Sequence, residues 1–142
     1  MKNKRKVVAF VPYRTVAGVP EFYLQKRDGH ATVHPNMFSV FGGGMESDED
    51  RMQTLKREVY EELVYTPKNP KYFTRCERST AQFDVFVEEV ASNFEKLVDV
   101  QEGEYGKFLT IAALNSVRVS AVAQLIVTDI SEWLKGNTST PN

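Results

Sequence analysis

The chain is poor in the residue that builds disulfide scaffolds and zinc fingers. Cys76 is the one cysteine among 142 residues, so an internal disulfide is excluded and a cysteine-based zinc site lacks further thiolate ligands. A lone thiol is typical of proteins from a reducing compartment. We therefore expect a cytoplasmic protein in which Cys76 is a small, buried, apolar side chain.

The sequence also lacks a long apolar run and an excess of charge of one sign. The first apolar stretch, Val7 to Tyr13, is seven residues long, which is too short for a secretory signal or a membrane span. The formal net charge is −1, which argues against a broad surface for nucleic acid. We therefore expect neither a membrane nor a stably bound nucleic acid as a partner.

The overall composition is that of an ordinary globular domain. The chain is 42% hydrophobic and 26% charged, close to the average for such domains. Its length suffices for one hydrophobic core and is short for two. We predict a single domain over residues 1–142, in which 136–142 form a loose polar tail.

A glycine triplet followed by a helical segment contains the most informative residues. Three glycines at 42–44 precede a run over 45–66 that has no glycine or proline, which predicts a helix. Glu58, Glu61 and Glu62 would then share about a quarter of a helical turn. Such a cluster is either a solvated face or a set of oxygens for a divalent cation such as Mg²⁺ or Mn²⁺.

The spacing of these residues resembles the signature of the Nudix (MutT-like) hydrolases. That signature is Gly, five residues, Glu, seven residues, then Arg-Glu-apolar-x-Glu-Glu-x-Gly-apolar, and the chain matches it at Gly43, Glu49 and 57–62. One position departs from it, since Val64 stands where the family has glycine. A β-branched residue resists the positive φ that ends many helices, so the helix exit is expected to differ.

The resemblance implies an α+β fold, the Nudix α/β/α sandwich, with a mixed β-sheet between helices. The order of elements agrees with it, and the central helix is predicted to begin at Ser47 or Asp48 and to stop at Thr66. A single helical turn is predicted over 111–115 and an amphipathic helix over 120–134, with Leu125 on its apolar side. Strands are predicted over 6–15, 21–27, 37–41, 71–75, 80–90, 96–100 and 107–109.

The resemblance also assigns metal ligands. Glu58, Glu61 and Glu62 match the family's metal-binding glutamates, and a backbone carbonyl near Gly42 would assist them. Arg57 matches the arginine that steadies these acids, and an ion pair with Glu61 one turn later is geometrically accessible. Glu49 matches an acid that makes a supporting or outer metal contact.

Three residues are candidates for the general base. Many Nudix enzymes add a glutamate from a late loop, as a ligand or as the base, and Glu102 in a flexible acidic loop over 101–106 resembles it best. Glu104 is the second candidate, and an ordinary polar turn is the alternative for the whole loop. Glu58 remains open as the base, because the matching residue serves so in several family members.

Substrate contacts are expected from residues outside the metal cluster. The aromatic candidates could equally belong to the core, and the motif itself would hold only a pyrophosphate group. The candidate substrate-binding residues are Gly43, Gly44, Arg27, Tyr23, Phe83 and Tyr105.

The resulting functional expectation is a metal-dependent pyrophosphohydrolase that acts on a nucleotide. The small size favours a nucleoside triphosphate, including an oxidised one such as 8-oxo-dGTP, cleaved to the monophosphate and pyrophosphate. A nucleotide sugar or a dinucleoside polyphosphate is the alternative substrate. A Nudix domain that binds a nucleotide without cleaving it is a further alternative, which the full set of motif acids disfavours. A monomer or a homodimer is expected.

Overall fold

The computed structural model describes residues 4–32 and 34–136, and seven strands and four helices lie in these two ranges. Most of the predicted tail, from residue 137 on, lies outside them. The strands are β1 (Arg5–Val16), β2 (Val19–Lys26), β3 (Phe38–Ser39), β4 (Phe41–Gly44), β5 (Lys71–Glu77), β6 (Ala81–Glu89) and β7 (Tyr105–Leu109). The helices are α1 (Arg51–Leu63), α2 (Phe94–Leu97), α3 (Ile111–Leu114) and α4 (Ala121–Gly136).

The strands form one mixed sheet in which β1 and β2 each pair with three other strands. The order is β3-β2-β1-β6-β5, with β4 joined to β1 and β7 joined to β2. The pairing of β1 with β6 is parallel, and the other pairings are antiparallel. The first half of β1 pairs with β4 and its last residues pair with β2, so different parts of β1 have different antiparallel partners.

Two hydrophobic clusters cover the two faces of the sheet. Successive side chains of a strand point to opposite faces, and β1 follows this rule. Val8 and Phe10 pack into the cluster that includes the apolar side of α1. Ala9 and Val11 pack into the cluster that includes the apolar side of α4, where Cys76 is partly buried at the edge. The predicted mixed sheet between helices is therefore confirmed.

The start of α1 differs from the prediction. Asp50 is the N-cap: its side chain accepts the N–H of Gln53 at 2.8 Å, and the Gln53 side chain accepts the Asp50 N–H at 2.8 Å. Ser47 and Asp48 lie in a turn before the helix. The prediction of a cap at either of them was wrong, because this reciprocal capping box needs a Glu or Gln three residues after the cap.

Three further element predictions need correction. The strand expected over 37–41 is two short strands, since β3 pairs with β2 whereas β4 pairs with β1. The strand expected over 96–100 is absent, and the helical turn α2 begins there at the buried Phe94. Leu125, expected on the apolar side of α4, is 40% exposed. Among the described helices, none has both the length and the apolar character needed to cross a bilayer.

Helix α1 ends at Val64, the position where the family signature has a glycine. Val64 has φ 51° and ψ 46°, a left-handed conformation, and its N–H donates to the Tyr60 carbonyl at 2.9 Å. The expectation of a different helix exit was therefore wrong, since the exit has the backbone shape that a glycine adopts most readily. For a residue with a Cβ this shape costs about 1–2 kcal/mol, and the 43% exposed Val64 side chain regains little of it by burial.

We expect the substitution Val64→Gly to stabilise the protein slightly and to leave turnover nearly unchanged. Relief of the left-handed strain is opposed by the larger chain entropy of glycine in the unfolded state, so the net gain should not exceed about 1 kcal/mol. Thermal unfolding with and without Mg²⁺ measures it. Val64→Ala is the matched control, because it keeps a Cβ and should gain less. A lower unfolding temperature for Val64→Gly than for Val64→Ala would contradict this account.

Candidate functional site

Arg57 connects the start of α1, its middle and strand β4. Its Nε and Nη2 atoms donate to the two carboxylate oxygens of Glu49 at 2.6 and 2.9 Å. Nη1 donates to Glu58 at 2.7 Å, and Nη2 donates to the Gly44 carbonyl at 3.0 Å. The guanidinium group lowers the pKa of Glu49 to about 2. Glu49 therefore supports Arg57, and Arg57 in turn orients Glu58.

The Glu58 carboxylate lies directly against the backbone of β4. A Cβ atom added to Gly43 would collide with both carboxylate oxygens of Glu58. Gly44, one residue later, has more room, since the nearest atom to an added Cβ is Arg5 Nη2 at 3.7 Å. A glycine is thus required at position 43 by this close approach.

We expect Gly43→Ala to lower kcat by about tenfold, because a displaced catalytic group costs rate even when the fold is kept. Gly44→Ala is the matched control on the same strand and should be close to wild type. Steady-state kinetics of the two variants, with thermal unfolding to verify folding, make the comparison. Equal kcat values for the two variants would show that the position of Glu58 is unimportant.

Glu62 is the buried acid of the cluster. It is 5% exposed, and its Oε1 atom accepts the Gly42 N–H at 2.8 Å. Burial, a side-chain hydrogen bond with Glu102 and the charges of Glu102 and Glu58 all raise the pKa of Glu62. Burial also raises the pKa of Glu58, although Arg57 opposes the shift. Three carboxyl groups thus face one another at the end of α1.

Backbone hydrogen bonds hold the loop that carries Glu102. Asp99 and Gln101 donate their N–H groups to the carbonyls of Leu63 and Glu62, at 2.8 and 2.7 Å. These carbonyls belong to the last turn of α1, where no partner exists within the helix. The flexibility of this loop stays a prediction, and Glu102 is presented by a segment anchored to the helix that carries Glu58 and Glu62.

A cleft of about 240 Å³ opens beside β4 and the first half of β1. Gly42 and Gly43 line it, as do Glu62 and Glu102. Basic and aromatic groups complete the wall, namely Arg5, Arg27, His34 and the half-buried Phe83. The cleft therefore offers acidic, basic and aromatic side chains to a single ligand.

A second cleft of about 300 Å³ adjoins the first. Arg27 and Glu102 line both clefts. The second is lined besides by polar side chains of the loop after β2, among them Asp28, His30 and Thr32. The two clefts thus meet at one basic and one acidic residue.

The three aromatic residues predicted to bind substrate lie in different places in the structure. Phe83 lines the first cleft. Tyr23 is 3% exposed and stacks on Phe41 in the core on the α1 side, with ring centroids 5.7 Å apart, so its prediction as a substrate contact was wrong. Tyr105 is 46% exposed and packs edge-on against Phe38 at 6.1 Å, away from the lining of both clefts.

Three residues near the clefts were missed by the sequence analysis. Strand alternation places Arg5 on the same face of β1 as Ala9, and the sequence pattern could have shown this. No sequence pattern marks His34 as a cleft residue. Gln25 is a polar residue in an apolar strand, 1% exposed, and it contacts the residues that line both clefts.

The chemistry of the acids fits a hard divalent cation. Carboxylate oxygens are the ligands that Mg²⁺ and Mn²⁺ prefer, and an ion would offset the burial and the repulsion by neighbouring acids that raise the pKa of Glu62. Over residues 4–32 and 34–136, no three His, Cys, Asp or Glu side chains are already arranged to hold an ion. Glu61 is 57% exposed and lies 3.4 Å from Arg57, so its role as a ligand stays a prediction.

Comparison with known proteins gives a family and several structural relatives. The sequence model of the NUDIX domain matches residues 3–123, and no curated protein sequence matches the chain. The NUDIX domain of Shewanella oneidensis NrtR, complexed with ADP ribose, has a TM-score of 0.77 at 14% identity, covering 94% of this chain and 90% of that one.

Two further solved structures have the same fold. A MutT protein of Aliivibrio salmonicida or Vibrio cholerae has a TM-score of 0.73 at 21% identity, covering 92% of this chain and 98% of its own. An Ap4A hydrolase of Caenorhabditis elegans has a TM-score of 0.67 at 19% identity, covering 94% and 99%. At these identities the likeness establishes the shared fold.

Proposed function

The chain belongs to the Nudix hydrolase family, and we propose that it cleaves a nucleoside triphosphate, ordinary or oxidised, to the monophosphate and pyrophosphate. We propose further that the reaction needs Mg²⁺ or Mn²⁺ at Glu58, Glu62 and neighbouring oxygens. The observation that carries this proposal is the composition of the first cleft, which is lined by Glu62 and Glu102 together with Arg5, Arg27 and Phe83.

Each part of that cleft suits one part of a nucleotide. Guanidinium groups bind phosphate oxygens through paired hydrogen bonds, so Arg5 and Arg27 would hold the phosphate chain. The ring of Phe83 offers a face for the base.

The chemical step requires a proton acceptor and a leaving group. A water oxygen bonds to phosphorus, the bridging oxygen–phosphorus bond breaks, and pyrophosphate leaves. Glu102 would accept the proton of the attacking water. A divalent cation bound by Glu58 and Glu62 would neutralise phosphate charge and lower the pKa of a bound water.

The second cleft favours a second candidate substrate. Its size and its shared residues, Arg27 and Glu102, leave room for a polar group beyond the diphosphate. A nucleotide sugar or a dinucleoside polyphosphate would fill both clefts. The structures of an ADP-ribose complex and of an Ap4A hydrolase agree with such a substrate.

A substrate panel separates the two candidates. Deoxynucleoside triphosphates, 8-oxo-dGTP, a nucleotide sugar and a dinucleoside tetraphosphate are incubated with the protein and Mg²⁺, and phosphate and pyrophosphate are assayed separately. We expect pyrophosphate from the triphosphates at the highest kcat/KM. A higher kcat/KM for the sugar or the dinucleoside compound would select the second candidate. No hydrolysis of any compound would overturn the proposed function.

A further inference from the structure

Gln25 is a buried amide that contacts both residues shared by the two clefts. Its Nε2 atom donates to the backbone carbonyl of Glu102 at 2.9 Å. Its Oε1 atom accepts a hydrogen bond from Arg27 Nη1 at 3.1 Å. An amide is the side chain that can donate through one end and accept through the other at this size. A carboxylate or a hydrocarbon of the same shape would lose at least one of these hydrogen bonds.

The loop that bears Glu102 is closely fitted to Gln25. Gly103 has φ +80°, and a Cβ added there would lie 3.0 Å from Gln25 Cγ and 2.7 Å from the Lys26 carbonyl oxygen. The Lys26 carbonyl also accepts the Glu104 N–H at 2.8 Å. The loop can therefore approach β2 this closely only with glycine at 103, and the position of Glu102 depends on the side chain at 25.

We propose that Gln25 is a positioning residue that fixes Arg27 relative to Glu102 across the substrate cleft. The roles of Arg27 and Glu102 in this inference rest on the proposed function, whereas the contacts of Gln25 do not. Gln25 acts through both residues: Arg27 holds substrate phosphate, and Glu102 accepts the proton. Loss of the Gln25 side chain should therefore raise KM through Arg27 and lower kcat through Glu102.

The first experiment is a double-mutant cycle with dGTP and Mg²⁺ as the probe. Gln25→Met keeps the size of the side chain and removes both hydrogen bonds, so KM should rise and kcat should fall, each by about tenfold. Arg27→Leu should raise KM alone. In the Arg27→Leu background, Gln25→Met should cause no further rise in KM while still lowering kcat. Independent, multiplying effects on KM would overturn the link to Arg27.

A second variant separates the two hydrogen bonds. Gln25→Glu keeps an acceptor for Arg27 and loses the donor to the Glu102 carbonyl, so KM should stay within about twofold while kcat falls. Tyr65→Phe is the matched control, because it removes another buried hydrogen bond, from the Tyr65 hydroxyl to Glu88 at 2.6 Å. The control should lower the unfolding temperature without changing kcat or KM. If Gln25→Met likewise lowered the unfolding temperature without changing kcat or KM, Gln25 would have a structural role only.

Amide hydrogen exchange tests the same proposal without turnover. Gln25→Met should speed exchange at Gln101 and Glu104, whose N–H groups bond to Glu62 and Lys26, and Tyr65→Phe should not. Unchanged exchange in Gln25→Met would overturn the proposal. If wild-type protein leaves dGTP intact, the assignment of a triphosphate substrate is wrong, and the exchange result still decides the role of Gln25.

Discussion

Changing Glu58 and Glu62 together to glutamine should lower Mg²⁺-dependent turnover by on the order of 10³-fold, which corresponds to the several kcal/mol that a catalytic cation supplies. Both side chains keep their size, and a glutamine at 62 can still accept the Gly42 N–H now bonded at 2.8 Å. The main loss is therefore the negative charge that would hold the ion. Calorimetric titration with Mn²⁺ should show a matching loss of binding.

The fold should survive this double change. Removal of two acids that face a third relieves repulsion, so the unfolding temperature in EDTA should be unchanged or slightly higher. Glu77→Gln with Glu132→Gln is the matched control, because it removes the same charge from exposed ion pairs with Lys4 and Lys135. Full activity of wild-type protein in EDTA, or of the Glu58/Glu62 double variant, would rule out the metal site.

Glu102→Gln should lower kcat by about 10²-fold or more, the usual contribution of a general base, while Mg²⁺ affinity falls much less. Backbone hydrogen bonds hold the loop whatever the side chain at 102, so the variant tests the proton acceptor and leaves its placement intact. Single-turnover measurements with saturating Mg²⁺ separate the chemical step from metal binding.

Glu104→Gln provides the control for this prediction. Glu104 is two residues away on the same loop and forms an exposed ion pair with Lys26 at 3.0 Å, a kind of interaction worth little to stability. Its kcat should be close to wild type. A Glu102→Gln variant with normal kcat, together with a metal-bound but inactive Glu58→Gln variant, would make Glu58 the base. Equal losses of Mg²⁺ affinity and kcat in Glu102→Gln would make Glu102 a ligand.

The predictable part of the site is the part with a strict local spacing. Arg57, Glu58 and Glu62 lie on one helix, so their offsets alone place them on neighbouring arcs. The same reasoning anticipated the contact between Arg57 and Glu61. The need for glycine at position 43 arises only when α1 and β4 have come together. In the sequence, only the family resemblance marked that glycine.

Residues with distant partners escaped the sequence analysis. Tyr23 alternates like a surface residue, but Phe94 and Phe108 from two later segments enclose it. Gln25 bonds to the backbone of Glu102, 77 positions away. The break between β3 and β4 arises because the two strands pair with different neighbours. Such outcomes depend on tertiary packing that no window of sequence contains.

The anchoring of residues 99–101 to the end of α1 has a consequence for how this protein can diverge during evolution. Main-chain hydrogen bonds do not depend on side-chain identity, and Asp99 and Gln101 are both exposed. Most substitutions at these two positions should therefore be neutral, and related proteins should vary there freely. Proline is the exception, because it has no N–H to donate. We therefore expect proline to be absent from positions 99 and 101 in related proteins, even though neither side chain contacts the cleft.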